Sequence, residues 1–572
     1  MPARARPSFR IGDGALASGV FLGLAAVYWT CRSLTFGPGD SPQHVLSALT
    51  WGVPSSPGYP LYTMLAHFFS RLPLGPASGA VNGFSGLLHA LAAAVFFLLL
   101  RRWGCGAAAA LAATGLMAFS PLFWFYSEVA EVRALNDLLA LGAAYAAAVW
   151  SRERSDRALL ALAVCVGLGL SHHPTYALIL PAVLCALTAA PPGPRRWALL
   201  AAAAAAAVLP YLVLYLRLSW GPAPAYNLSG IFGWRDLLGL ALMPQRMALQ
   251  VLDPSAAAGP GGQGLFSWSF FWTNLGWLAG SWAANLTLLG LFLAGLGALR
   301  LWRRQRRALA CCLLWAAAAA VLCVALSCQQ PPAIGSWDVI RAVRLRYYLL
   351  PSLALFALAG FGVEALFERV RPALGWLLAA VVAFGPGLLR PVNLRGCDPL
   401  LSYARDILDS SGPRDMILQF SDDTVFAMLY LDLVENRVAD RVFLMPLLFS
   451  HRPYIAALQR RHPGLRLPLE GGGLSPRPAD WLRLNPDRAL YCEPGYRPHL
   501  PAFSKLCSPR GLLIRVGGPP LGPDGIAAQA DRFLRASAVR TLAGRGLRDF
   551  TQEVGVKDAY RAGLEYYLGL LG

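Results

Sequence analysis

An isolated carboxylate, Asp40, stands in the segment Gly-Asp-Ser-Pro-Gln-His, directly after the first long apolar stretch of the chain. A carboxylate where a membrane gives way to water is well placed to be a general base, because it can accept a proton from a hydroxyl within hydrogen-bond reach. Gln43 and His44 share its loop, and Pro57, Gly58, Tyr59 and Pro60 follow shortly after. A second polar stretch holds Glu128, Glu131, Arg133, Asn136 and Asp137, and a third holds His172 and His173. Ionisable residues in a membrane domain are costly and usually face a cavity or a partner, so several on one side imply a polar chamber. The plainer reading is that they are wet loop residues. Arg341, Arg344 and Arg346 lie just before another apolar stretch, on the same side. Guanidinium presents a planar fork of donors that matches phosphate oxygens, so a lipid phosphate is a natural ligand there. Attraction to ordinary anionic headgroups is the alternative.

The elements that must position these groups are membrane helices. At 572 residues, 56% hydrophobic and only 14% charged, with a mean hydropathy of +0.47, the chain is a polytopic membrane protein rather than a water-soluble globule. Apolar stretches of spanning length fall near residues 15–31, 80–100, 107–124, 134–150, 158–171, 175–190, 197–216, 283–301, 308–327, 347–367 and 373–389. They predict an all-α membrane domain of about eleven transmembrane helices over residues 1–389. The formal charge of +19 is almost wholly arginine, Lys505 and Lys557 being the only lysines. No basic tract with interleaved aromatics is present, which argues against nucleic acid as a partner.

Arg4, Arg6 and Arg10 precede the first span, and further arginine clusters follow alternate spans: Arg101 and Arg102; Arg152, Arg154 and Arg157; Arg195 and Arg196; Arg303, Arg304, Arg306 and Arg307; Arg369 and Arg371. With eleven spans all of them fall on one face, as the positive-inside rule requires. The N-terminus is then cytoplasmic and the Asp40 loop and residues after 390 are exported. The arginine bias, read as codon usage, and the absence of a signal cleavage site place the chain in a bacterial inner membrane facing the periplasm. In the exported region 390–572, short apolar runs at 416–420, 441–445, 488–492 and 512–516 and a helical stretch at 424–434 predict an appended extracytoplasmic α/β domain. Residues 524–570 read as helical. The eleven cysteines show no metal-ligand spacing, so no metal site is expected. Cys492 and Cys507 lie in the exported domain, where a disulfide is possible.

A series of motifs carries a family resemblance. Gly-Asp-Ser (39–41), Gly-Val-Pro (52–54), Pro-Gly-Tyr-Pro-Leu-Tyr (57–62), Val-Asn-Gly-Phe-Ser (81–85), Ala-Glu-Val-Arg-Ala-Leu-Asn (130–136), Gly-Leu-Ser-His-His (169–173), Leu-Pro-Tyr-Leu (209–212), Arg-Tyr-Tyr-Leu-Leu-Pro (346–351) and Ser-Asp-Asp-Thr (421–424) occur in order. Together they resemble the transmembrane protein 260 family. The resemblance implies a glycosyltransferase of the C superfamily, a protein O-mannosyltransferase-like enzyme using a polyprenyl-phosphate-linked sugar as donor and needing no cofactor. A protein or glycan hydroxyl would be the acceptor. It carries the base onto Asp40 and matches Glu131 and Arg133 to the family's second-loop motif and His172 and His173 to its third. From residue type, Gln43, His44, Glu128, Glu131 and Asn136 are expected in support, Arg133, His172, His173, Arg341, Arg344 and Arg346 at the donor phosphate, and Pro57, Gly58, Tyr59 and Pro60 in a structural role.

Three positions depart from the family pattern, which has Glu at Gln43, His at Ser55 and Asn at Asp422. The first removes a carboxylate beside Asp40, weakening any two-carboxylate or metal-assisted scheme. A transporter or flippase of a lipid-linked or anionic substrate is the alternative, although no inverted repeat with broken helices is seen. A catalytically impaired member acting in envelope assembly is the other.

Overall fold

The computed structural model describes residues 11–37, 39–55, 57–188, 191–205, 208–222, 224–227, 235, 268–325, 341, 344–369, 372–396, 398–419, 422–450, 452–495, 507–536 and 553–571. The front half is helical: α1 Ile11–Cys31, α2 Ser41–Thr50, α3 Pro60–Ser70, α4 Ala77–Arg102, α5 Ala107–Ala118, α6 Pro121–Ser127, α7 Arg133–Glu153 and α8 Asp156–His172. Helices Leu180–Thr188, Pro194–Ala205, Leu209–Trp220, Trp268–Arg304, Arg306–Ala325, Leu349–Phe367 and Pro372–Leu389 follow.

Each apolar stretch is mainly helical where it is described, and several of these helices are shorter than a full crossing. Among the described residues five helices are long and apolar enough to span, or six if α5 and α6, bent by 68°, count as one. Proline explains much of this shortening. It opens α6 at Pro121 and the 3-10 turn Pro174–Ile179 between α8 and its successor, and Pro210 sits in the first turn of Leu209–Trp220. A ring with no N–H is tolerated in a first turn and interrupts a helix elsewhere.

Helices Trp268–Arg304 and Leu349–Phe367 cross at glycine. A Cβ on Gly297 would stand 1.8 Å from the Leu358 carbonyl oxygen, and one on Gly362 1.9 Å from that of Leu293. Membrane helices approach this closely through small residues. The crossing fixes Leu349–Phe367, and with it Arg346 in the turn just before. At the end of the bundle away from Asp40, acids at helix ends meet the arginine clusters. Arg101 pairs with Asp13 at 2.8 Å, Arg196 with Asp156 at 2.8 Å, Arg300 with Glu368 at 2.7 Å, and Arg102 with Glu153.

Beyond residue 390 stands a five-stranded sheet in the order β2-β1-β5-β7-β6, with β1 Met416–Leu418, β2 Val442–Leu444, β5 Leu490–Cys492, β6 Cys507–Arg510 and β7 Leu513–Val516. A small hairpin of β3 Leu469–Glu470 and β4 Gly473–Leu474 lies apart from it. Helix Asp422–Leu433 connects β1 to its parallel neighbour β2. Because β7 pairs with both β5 and β6, it separates Cys492 from Cys507. Two strand spacings, about 10 Å, exceed the reach of a disulfide. Of the C-terminal stretch read as helical, Pro523–Leu534 and Glu553–Leu571 are helices, and 537–552 lie outside the described residues.

The sheet region is fastened to the membrane helices. Phe36 meets Tyr430 edge-on at 5.0 Å, and the Leu394 N–H donates both to the Cys31 carbonyl at 2.8 Å and to Glu128 Oε2 at 3.0 Å.

Candidate active site

Asp40 is the residue before α2, and its side chain makes no capping bond to the helix it precedes. The carboxylate is therefore available elsewhere, and its Oδ2 pairs with Arg346. His44 lies one turn along α2, its backbone N–H bonded to the Asp40 carbonyl at 3.1 Å. Positions four apart share a helix face, so the ring follows the carboxylate. Both His44 ring nitrogens are buried without a hydrogen-bond partner. The ring is set edge-on between Tyr59 at 5.5 Å and Tyr62 at 5.7 Å.

The Pro-Gly-Tyr-Pro turn explains why Tyr59 can do this. Gly58 has φ +87° and Tyr59 itself φ 42°, ψ 50°. Left-handed backbone in a non-glycine residue costs about 1 kcal/mol or more and tends to occur at functional sites. Here it turns the ring onto His173, stacked at 5.8 Å, and edge-on to His172 at 5.9 Å. The first and third polar stretches thus meet through one tyrosine.

The second stretch contributes Glu131. Its carboxylate, that of Asp40 and a ring nitrogen of His44 lie within 4.8 Å of one another. Asp40 therefore has a second carboxylate beside it after all, from another loop rather than from position 43. Arg133 faces Glu131 at 3.7 Å, stacks on Tyr347 at 4.5 Å from the ring centre and reaches Thr175 Oγ1 at 3.4 Å. His172 Nε2 donates to the Val132 carbonyl at 3.0 Å. His173 Nδ1 accepts from the Thr175 N–H at 3.1 Å, which leaves its ring proton on Nε2. Asp40 is the open member of the group: its side chain is 35% exposed, against 4% for Glu131.

Burial and charge divide the titratable groups. Burial pushes the Asp40 carboxyl up, but Arg346, His44 and Arg133 together hold it below the usual range. Burial drives Glu131 up to about 7, against Arg346 and with the help of the Asp40 charge. Burial takes His44 down to about 4 and His173 well below its ordinary value. Near neutrality, then, Asp40 is charged, the imidazoles are neutral, and Glu131 exchanges a proton readily. The three donors of Asp40, His44 and Glu131 are also a set able to hold a divalent cation. Each carboxylate already faces a guanidinium, which neutralises charge in the same place.

Other expected site residues lie apart from this cluster. Gln43 is buried, and its Oε1 accepts from the Ser55 N–H at 3.2 Å. The departures at 43 and 55 thus touch each other and tie the loop together. Glu128 turns to Leu394. Arg344 donates to Asn274 at 2.6 Å on helix Trp268–Arg304, and Arg341 is exposed with no described contact to the cluster. Of the three arginines only Arg346 meets Asp40, because it alone immediately precedes the glycine-fixed helix. Asn136 is buried in the first turn of α7. Pro57 offers its carbonyl to the Tyr211 hydroxyl at 3.0 Å. The Asp422 side chain lies outside the described residues.

Sequence reasoning passed over Asn82 and Ser85 as site-builders. Asn82 donates to the Ser33 and Thr35 carbonyls at 2.8 and 3.1 Å and accepts from Ala130 N–H at 2.8 Å. Ser85 Oγ lies 2.8 Å from the Tyr62 hydroxyl and accepts from Glu131 N–H at 3.2 Å. Polar residues three apart within an apolar helix were the available signal, since buried polar groups take partners.

Residues 40–190 match the family defined as the Protein O-mannosyl-transferase TMEM260 N-terminal domain. The mouse (Mus musculus) protein O-mannosyl-transferase TMEM260 is 33% identical over 189 residues, 32% of this chain and 27% of that protein. The Dictyostelium discoideum protein of the same name is 27% identical over 176 residues, 28% of this chain and 22% of that one. The chain thus spans about a quarter of the length of these relatives. Among solved structures, the Archaeoglobus fulgidus oligosaccharyltransferase tethered with an acceptor peptide is similar at 14% identity and TM-score 0.46, over 78% of this chain and 68% of that one. Mouse and Dictyostelium are eukaryotes, which overturns the bacterial inner-membrane and periplasmic placement drawn from the arginine bias. The membrane character of the chain stands.

Proposed function

Residues 40–190 carry the N-terminal domain of the TMEM260 protein O-mannosyl-transferase family, and from that premise we propose that the chain is an inverting membrane glycosyltransferase. It moves a sugar, mannose by family, from a polyprenyl-phosphate donor to a hydroxyl of a protein or glycan. The observation that carries the reading is the meeting of Asp40 with Arg346 beside Glu131, a base and a phosphate-binding group drawn from opposite ends of the membrane domain.

In this scheme the donor phosphate takes Arg346 from Asp40. The carboxylate then loses the charge that held its proton affinity down and becomes a better base. Asp40 removes the acceptor hydroxyl proton as that oxygen bonds to the anomeric carbon from the face opposite the leaving group. The carbon–oxygen bond to phosphate breaks, and its electron pair stays on phosphate oxygen, neutralised by Arg346 and Arg133. Glu131, titrating near neutrality, accepts the proton from Asp40 after transfer. One displacement with one base inverts the sugar.

The test is transfer of labelled mannose from polyprenyl-phosphate mannose by the purified full chain in lipid. Asp40→Asn is expected to abolish transfer while donor binding persists. Full turnover in that variant would sink the assignment.

A further inference from the structure

At the end of the bundle opposite Asp40, a cavity of about 260 Å³ opens between the last turns of α7, helix Leu180–Thr188 and the start of Arg306–Ala325. Its walls are small and apolar, Ala144 and Ala147 on one side and Ala182 on the other. Arg152 and Arg307 stand at its mouth, both exposed. Among the described residues neither has a carboxylate partner, as is also true of Arg195 and Arg303, but Arg152 and Arg307 are the arginines that line the cavity, while Arg101, Arg102, Arg196, Arg300 and Arg304 are paired with acids. Trp315, eight residues or about 12 Å along the helix from Arg307, lines the interior. Its indole N–H is buried with no acceptor.

Two guanidiniums without acid partners at helix ends, above a slot lined largely by alanine with an unmet donor inside, suit an amphiphile. Its head must be anionic, its next segment must carry an acceptor, and its remainder must be hydrocarbon. We propose that this cavity is a binding site for an anionic glycerophospholipid of the leaflet opposite the Asp40 face. The phosphate lies between Arg152 and Arg307, an ester carbonyl accepts from Trp315, and the upper acyl chain fills the slot. A polyprenyl phosphate shares the phosphate and hydrocarbon but has no ester carbonyl for the indole.

The test uses the full chain, purified in mild detergent, and native mass spectrometry with phosphatidylglycerol, phosphatidylcholine and a polyprenyl phosphate added in turn. Phosphatidylglycerol is expected to be retained preferentially. Arg152→Ala with Arg307→Ala should weaken retention roughly thirtyfold, from two charges near the membrane surface. Ala147→Leu, which fills the slot and keeps every charge, should weaken it as well; if that variant melts early, Ala182→Leu replaces it. Arg195→Ala with Arg303→Ala, an equal loss of charge outside the cavity, should leave retention unchanged. Equal retention of phosphatidylcholine, equal loss in the Arg195/Arg303 control, no effect of filling the slot, or preferential retention of the polyprenyl phosphate would each overturn the proposal.

Discussion

The two ends of the helical bundle handle arginine in opposite ways. Away from Asp40, guanidiniums and acids meet on helix ends, most with the acid exposed, as with Arg300 and Glu368, although Arg101 and Asp13 are largely buried. Such pairs contribute little individually and serve orientation and topology. At the Asp40 end, Arg133 and Arg346 are drawn inside and set against Glu131 and Asp40. Burying a pair costs desolvation that its own attraction barely offsets. The fold accepts that cost most fully for Arg133 and Glu131, whose side chains are 6% and 4% exposed, against 20% and 9% for Arg101 and Asp13 at the other end, and so keeps charge inside beside Asp40.

The sharpest break in this contrast is removal of the proposed base. Asp40→Asn should reduce transfer by about 10²–10⁴-fold, with donor affinity little changed, as measured by steady-state kinetics on labelled donor. Next is Arg346→Gln. It should weaken donor binding by roughly tenfold to a hundredfold, the range for a charge-assisted hydrogen bond. Because Arg346 holds the Asp40 carboxyl down, its loss should also move the acidic limb of the pH–rate profile to higher pH. An unmoved limb would show that the pair does not tune the base.

Glu131→Gln probes the proton acceptor and should cost less. Any limb of the profile near pH 7 should vanish, since that group titrates at about 7 in the native state. Stability provides a second readout. An acid whose pKa is raised by folding binds its proton more tightly in the native state, so it loses stability as pH rises from the unfolded value toward 7. The neutral variant should therefore melt higher than wild type above pH 7, with the gap closing toward pH 5. Smallest of all, Arg341→Ala should change transfer by less than about twofold, as expected of an exposed side chain away from the cluster.

How much of this was legible in the sequence follows from distance along the chain. Asp40 and His44 share a helix face, and Glu131, His172 and His173 are each polar beside apolar stretches, so type and spacing found them. That Arg346 rather than Arg344 meets Asp40 depends on helix rotation, fixed by the Gly297–Gly362 crossing, and no local pattern reports it. Glu128 looked like a site acid because it lies three residues from Glu131, yet the turn into α7 aims the two apart. The cation-capable set of Asp40, His44 and Glu131 could not be read from spacing, since Asp40 and His44 stand four apart but the third member comes from a separate loop. The helices were legible, but which of them run unbroken for a full crossing was not, because hydropathy averages across prolines that interrupt the backbone.

The bond between Glu128 and Leu394 links two parts otherwise distant in sequence. Leu394 begins the chain's path toward the sheet, and Glu128 sits three residues ahead of Glu131 on the same short loop. The chain where it leaves the last membrane helix is thus tied by one hydrogen bond to the loop that carries Glu131, so neither segment can shift without breaking that bond or moving the other.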